Sequence, residues 1–381
     1  MLVLLVMSFL VALCCSVVLI AAGKGRARLY GQDMVQRFHA GHVPRFGGLA
    51  MAAGCAGAWC LGAGSGWLGL NLNVGLQWRD VALWALVLLP VALMGAAEDF
   101  TLRIGARWRL AASMLTAALG CALLGLQVPR LGLAGLGLPW LGTVDGLWQM
   151  TPWLGWALAF VALAGLPHAF NIIDGYNGLA GIVAVMVCGA LLYVALQLGD
   201  RKLAALLVVL LGSTLGFLYW NYPRGLIFAG DCGAYVWGSV IAIACILLVQ
   251  RHAGVSPWFP VLLLIYPVWE TLFSIYRKLV RGVSPGMADS LHFHQLVYKR
   301  LVRGVFHDNE TRRLLMRNNR TSPYLWAFAM MTVAPAVLFW GNTPVLMLFC
   351  VLFIASYVGA YLMLVRFKLP RWAQKYKNTE F

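Results

Sequence analysis

Charge is scarce in this chain, and negative charge scarcer still. Of 381 residues only 11% are charged, and Asp and Glu together number 13. A soluble domain carries about a quarter charged residues, so that class is excluded. No Cys-x-x-Cys pair occurs among the nine cysteines. Most of them (Cys14, Cys15, Cys55, Cys60, Cys121, Cys188, Cys245, Cys350) fall inside apolar runs. They read as small packing residues, with no disulfide framework and no zinc site. Tandem repeats and low-complexity tracts are absent. Helical amphipathicity is also weak, because most apolar runs are apolar on every face.

What is present is hydrophobic length. Residues of apolar type make up 61% of the chain, and stretches of about 20, enough to cross a hydrocarbon core, recur throughout. The fold class expected is an all-α polytopic integral membrane protein of about 11 transmembrane helices, forming one membrane-embedded domain over residues 1–381. The spans fall near 2–22, 46–66, 79–97, 109–127, 152–170, 179–198, 203–220, 233–250, 258–276, 323–341 and 344–365. Segment 128–151, rich in glycine with Pro129, Pro139 and Asp145, reads as an outer loop with a short re-entrant or strand-like piece.

Basic residues set the orientation. Loops 23–45, 98–109, 221–232, 277–322 and the tail 366–381 hold 24 of the 29 Lys and Arg, leaving Arg79, Arg130, Arg201, Lys202 and Arg251 on the opposite side. The positive-inside rule then puts the N-terminus outside and the C-terminus in the cytoplasm. The first span lacks a basic n-region and is followed by Lys24, Arg26 and Arg28, the pattern of an uncleaved first helix. The same rule accounts for the net charge of +16 without a nucleic-acid partner. Basic loops also suit anionic headgroups and phosphorylated substrates.

The few polar islands lie on that cytoplasmic side. Asn171-Ile-Ile-Asp174-Gly-Tyr-Asn177-Gly interrupts two apolar spans, and a carboxylate at a membrane edge is expensive enough to mark function. On a continuous helix Asn171, Asp174 and Asn177 share a face. Adjacent carboxylates Glu98 and Asp99, followed by Arg103, Arg107 and Arg109, suit a divalent cation or a proton. In Pro44-Arg45-Phe-Gly47-Gly48, paired glycines at a helix start can turn N–H groups toward an anion. Asp231, in Gly230-Asp-Cys-Gly233, is a cap or a magnesium ligand. His292 and His294, two apart, share a side only in an extended or turning segment. With Arg277, Lys278, Arg281, Lys299, Arg300 and Arg303 around them, they suggest a phosphate-reading loop.

Taken in order, Pro44-Arg-Phe-Gly-Gly, Glu98-Asp99, Asn171-x-x-Asp-Gly-x-Asn-Gly-Leu-Ala, Gly230-Asp-Cys-Gly and His292-Phe-His resemble the polyprenyl-phosphate N-acetylhexosamine-1-phosphate transferases, of glycosyltransferase family 4 type. The likeness is closest to the undecaprenyl-phosphate N-acetylglucosamine-1-phosphate transferase branch and spans roughly residues 24 to 300. Three positions depart from the family pattern. Glu98 stands for an aspartate, Asn177 for an aspartate, and Gln295 for a histidine.

The resemblance implies a bacterial inner-membrane enzyme. It would move an N-acetylhexosamine-1-phosphate from a UDP-sugar to undecaprenyl phosphate, releasing UMP, as the first membrane step of a cell-surface polysaccharide such as O-antigen. It implies Mg2+ (or Mn2+) held by Asn171 and Asp231, with Asp99 as base or lipid-phosphate positioner beside Glu98. Asp174 would be a second acid or nucleophile. His292, His294, Asn177, Arg45, Gly47, Gly48 and Arg281 would bind substrate, across cytoplasmic loops 23–45, 98–109, 171–178, 221–232 and 277–322. A homodimer is left open. The alternative from a different class is an ion-coupled transporter of anionic solutes, using the same carboxylates as relays.

Overall fold

The computed structural model describes residues 1–23, 43–70, 72–284 and 291–366. Lys24, Arg26, Arg28, Asp289 and the tail beyond Arg366 lie outside the described residues. The chain forms helices α1 (Leu2–Gly23), α2 (Gly47–Gly64), α3 (Trp78–Thr101), α4 (Ala106–Leu124), α5 (Pro139–Gln149), α6 (Pro152–Ile173) and α7 (Leu179–Gln197). Then come α8 (Arg201–Asn221), α9 (Gly230–Arg251), α10 (Trp258–Leu263), α11 (Ile265–Val280), α12 (Phe293–Arg300), α13 (Glu310–Leu338) and α14 (Thr343–Val365). Among the described residues there is no strand. That follows from the solvent: in hydrocarbon every backbone polar group must be satisfied within its own segment.

Nine of these helices are long and apolar enough to cross a membrane: α1, α2, α3, α6, α7, α8, α9, α13 and α14. Two expected spans do not meet that description. The one at 109–127 is α4, which opens with Arg107 and Arg109 in its first turn. The one at 258–276 breaks at Leu264 into a six-residue and a sixteen-residue helix. Another expectation also changes. The basic segment before residue 323 is not all loop, since α13 starts at Glu310, capped by Asn309 Oδ1 on the Arg312 N–H at 3.1 Å. Segment 128–151, expected as a loop with a short re-entrant or strand-like piece, holds a short 3-10 turn at Leu133–Leu136 and helix α5. Asp145 on α5 collects the N–H groups of Leu131, Gly132 and Ala134, folding the glycine-rich stretch back onto the helix.

The centre of the protein is α9, on which every residue from Gly230 to Val249 is buried. Helices α2, α3, α6, α7 and α8 pack around it. Lipid tails are as apolar as leucine, so close backbone approach supplies the attraction that hydrophobicity cannot. Two glycines show how close. A Cβ at Gly48 of α2 would sit 2.1 Å from the Gly233 nitrogen, and one at Gly95 of α3 would sit 2.6 Å from the Cys232 Cα. Both contacts fall in the first turn of α9. The packing therefore seats the N-terminal end of α2 and the C-terminal end of α3 directly against Asp231.

Candidate active site

The first turn of α9 is where the acidic residues converge. Its N–H groups have no helical partner, and Asp99, at the end of α3, supplies one. Asp99 Oδ1 accepts from the Asp231 N–H at 2.9 Å, and Oδ2 accepts from the Cys232 N–H at 3.0 Å. Gly230 makes room for this. It has φ +72°, and a Cβ there would lie 2.4 Å from both Asp99 oxygens. Asp99 thus caps a helix 132 residues further along the chain. Glu98 points elsewhere, accepting from the Ile104 N–H at 2.7 Å and fixing the turn that leads into α4.

Asp231 is ringed by donors. Oδ1 accepts from Asn171 Nδ2 at 2.9 Å and Arg45 Nη2 at 3.2 Å, while Oδ2 accepts from Arg109 Nη1 at 2.5 Å and the Tyr235 hydroxyl at 3.2 Å. Arg45 Nε also lies 3.8 Å from Asp99 Oδ1. Two guanidinium groups therefore converge on two buried carboxylates, which marks a field that seeks positive charge. Arg109 and Tyr235 belong to this cluster and were missed as site residues. Arg109 sits in a run of three arginines that reads as a membrane-edge flank, and Tyr235 is one more aromatic in an apolar helix.

Asn171 and Asp174 do not share a helical face with Asn177. Helix α6 ends at Ile173, Asp174 follows it at φ −80° and ψ 55°, and α7 begins only at Leu179. The break turns Asn171 toward Asp231 and sends Asn177 the other way. Asn177 is buried against α13: its N–H donates to Asn318 Oδ1 at 2.8 Å, and its Nδ2 to Asn319 Oδ1 at 3.0 Å. Its carbonyl accepts from the Ser322 hydroxyl at 2.6 Å. Gly178 is held from both sides, its carbonyl by Trp326 Nε1 and its N–H by Asn221 Oδ1. Asn177 is thus a clamp of the loop, and the structure does not bring it to the acidic cluster.

Asp174 differs from its neighbours. Its carboxylate accepts no hydrogen bond from the described residues, whereas Glu98, Asp99 and Asp231 are all engaged. Burial pushes its carboxyl up to about 7, opposed by Arg45 and reinforced by Asp231.

The glycine pair reads differently in three dimensions. The Gly47 N–H donates to the Phe228 carbonyl at 2.9 Å, and the Gly48 N–H to the Ala229 carbonyl at 2.8 Å. These donors hold the entry to α9 and are not turned toward an anion. Arg45, by contrast, reaches the cluster. Arg281 is exposed at the C-terminal end of α11.

The histidines do come together. His292 is extended (φ −61°, ψ 148°) and caps α12, so its ring stacks on that of His294 at 5.3 Å and 7°. A Cβ on Gly175 would lie 2.9 Å from His294 Nε2. The histidine pair and the Asp174 loop are therefore in contact.

Among the described residues no group of three or more His, Cys, Asp and Glu is arranged to hold a metal. Asp231, Asp174 and Asn171 do offer hard oxygens, two of them carboxylates. Magnesium uses one or two carboxylates and takes the rest of its shell from water and substrate phosphate.

The chain is similar to known proteins over part of its length. A family profile described as Glycosyl transferase family 4 matches residues 81–249. The chain is 30% identical over 137 residues to the undecaprenyl-phosphate alpha-N-acetylglucosaminyl 1-phosphate transferase of Thermotoga maritima, covering 36% of this chain and 41% of that protein. It is 32% identical over 206 residues to a phospho-N-acetylmuramoyl-pentapeptide-transferase of Synechococcus sp., covering 52% and 54%. It is 24% identical over 348 residues to the decaprenyl-phosphate N-acetylglucosaminephosphotransferase of Mycolicibacterium smegmatis, covering 86% and 80%. The match thus spans about two fifths of the length of the Thermotoga maritima relative. In its ordered motifs, its helical membrane fold and these matches, the chain is similar over residues 81–249 to glycosyl transferase family 4, and over part of its length to polyprenyl-phosphate hexosamine-1-phosphate transferases.

Proposed function

We propose that this protein transfers an N-acetylhexosamine-1-phosphate from a UDP-sugar to undecaprenyl phosphate at the cytoplasmic face of a bacterial inner membrane, releasing UMP. N-acetylglucosamine is the sugar favoured, because two of the relatives above carry it in their names. The product would enter a cell-surface polysaccharide such as O-antigen. One observation carries the reading. An uncommitted carboxylate, Asp174, lies between a guanidinium-ringed acidic cluster and a stacked histidine pair, at the mouth of a membrane-buried helix bundle.

Two polyanions must meet for this reaction, so repulsion is the first obstacle. Arg45 and Arg109 offer positive charge to the incoming phosphates, and His292 and His294 face the opposite side of the Asp174 loop. Asp174 takes the proton from the lipid phosphate. An oxygen of that phosphate then forms a bond to the sugar-bearing phosphorus of the donor, and the bond from that phosphorus to the UMP oxygen breaks. Asp231 and Asn171 would hold Mg2+, which when bound would neutralise phosphate charge. Asp99 acts one step back, by fixing the first turn of α9 and with it Asp231.

The test is incubation of the purified protein with undecaprenyl phosphate, magnesium and a panel of UDP-sugars, with mass spectrometry of the lipid. A diphosphate-linked sugar lipid together with UMP is the expected result. Vesicle uptake of an anionic solute without UMP release would replace the enzyme with a transporter.

A further inference from the structure

Glu270 is the single acidic residue between Asp231 and Asp289, and it lies on α11 in a mostly apolar stretch of sequence. It is fully buried. A lone carboxylate there is costly unless partnered, and its partners are specific. Oε1 is 2.9 Å from His292 Nδ1 and accepts from the Phe293 N–H at 3.1 Å. Oε2 accepts from the Tyr357 hydroxyl of α14 at 2.7 Å. Two turns further along α11, on the same face, Arg277 donates to the Leu291 carbonyl and to the Tyr361 hydroxyl. Ser274, between them in the stripe, is buried as well. Tyr357 and Tyr361 are themselves one turn apart on α14. Residues 291–293 are therefore gripped by one polar stripe of α11, backed by two tyrosines.

The consequence falls on His292. An ionised carboxylate only accepts hydrogen bonds, so Nδ1 carries the proton and Nε2 is the nitrogen that can meet a ligand. Stacking of His292 on His294 places that nitrogen in the same layer as the ring touching Gly175. We propose that Glu270 is a positioning residue. It fixes the ring orientation and tautomer of His292, so that Nε2 is presented to the nucleotide-sugar donor. The inference rests on the phosphate-handling role proposed for the histidines, and it adds a residue more than twenty positions upstream of them.

The decisive variant is E270Q. Its amide oxygen still accepts from Nδ1–H and the Phe293 N–H, and its amide nitrogen can donate to Tyr357, so the fold has no reason to fail. Only the charge is lost. With 15N-histidine labelling and H292N to assign the signal, the His292 Nδ1 resonance is expected to shift between the parent and E270Q, because its hydrogen bond changes from charge-assisted to neutral. E270D, which keeps the charge, should retain the parent signature. In kinetics, E270Q should raise KM for the UDP-sugar about tenfold, the difference between a charge-assisted and a neutral hydrogen bond, with the lipid KM unmoved. Adding E270Q to H292N should then cost nothing further. An unchanged His292 signal in E270Q, or an additive loss in the double variant, overturns the proposal. The NMR arm needs no turnover. A shifted signal in a protein that transfers no sugar-phosphate would keep the Glu270–His292 coupling and refute the reaction instead.

Discussion

Asp99 spends both carboxylate oxygens on the backbone of Asp231 and its neighbour, at 2.9 and 3.0 Å. The two aspartates so linked have different tasks. Asp99 fixes a helix terminus, and Asp231 presents a side chain from it to the arginines and Asn171. Loss of either would stop turnover, yet the two losses should be separable by stability.

For Asp99, an asparagine retains one acceptor and an alanine none. D99A should therefore melt well below D99N in detergent, by the value of a lost N-cap, about 1–2 kcal/mol. D99N should keep part of the parent activity. A D99N protein with parental melting and no turnover would move Asp99 from helix cap to reacting group.

Asp231 should behave in the opposite sense. D231N preserves one acceptor oxygen for the surrounding donors, so abundance in the membrane should stay near parental. Transfer should fall about 10²–10³-fold, the range for removing one group that stabilises developing charge. Parental turnover at saturating magnesium would take Asp231 out of the site.

The Asp174 carboxyl, raised to about 7, gives the pH dependence a sign. Activity that needs the carboxylate should climb with pH through about 7 and level off above it. Stability should run the other way. Between the unfolded value of 3.8 and about 7 the folded state holds a proton that the unfolded chain has lost, so rising pH favours unfolding across that window. D174N should flatten the melting-temperature slope there. A slope identical to the parent's would mean that Asp174 is already ionised in the folded protein.

Helix α13 offers a test of the clamp. N318A removes the acceptor for the Asn177 N–H and leaves a buried donor unsatisfied, a loss of about 1–3 kcal/mol. Hydrogen exchange in residues 174–178 should accelerate, and kcat should fall with little change in either KM. Faster exchange with an unchanged kcat would show that the loop tolerates motion during turnover.

Orientation is checked most simply by fusing a reporter after Phe381. A cytoplasmic signal is expected from the distribution of Lys and Arg. A periplasmic signal would overturn the assignment of the motifs to one face.

Much of this protein is local in origin, and that part was legible in its residues. Apolar length, the positive-inside bias and the order of the motifs are properties of contiguous segments. A membrane gives each such segment little choice but a helix, because its backbone must satisfy itself. The bringing together of Asn171, Asp231 and Arg45 was anticipated only as a list. What each side chain does there was decided by partners far along the chain, with Arg45 reaching Asp231 across 186 residues and Asn177 reaching Asn318 across 141. The motif glycines looked like an anion nest, but the crossing of α2 over α9 assigned their N–H groups to the Phe228 and Ala229 carbonyls. Glu270 carried its own signal, a carboxylate in an apolar run. Its meaning came only with α11 folding back onto the start of α12. Hydropathy acts through solvent and is the same wherever a helix lies. A hydrogen bond acts over about 3 Å, so its partner is set only when the helices have packed.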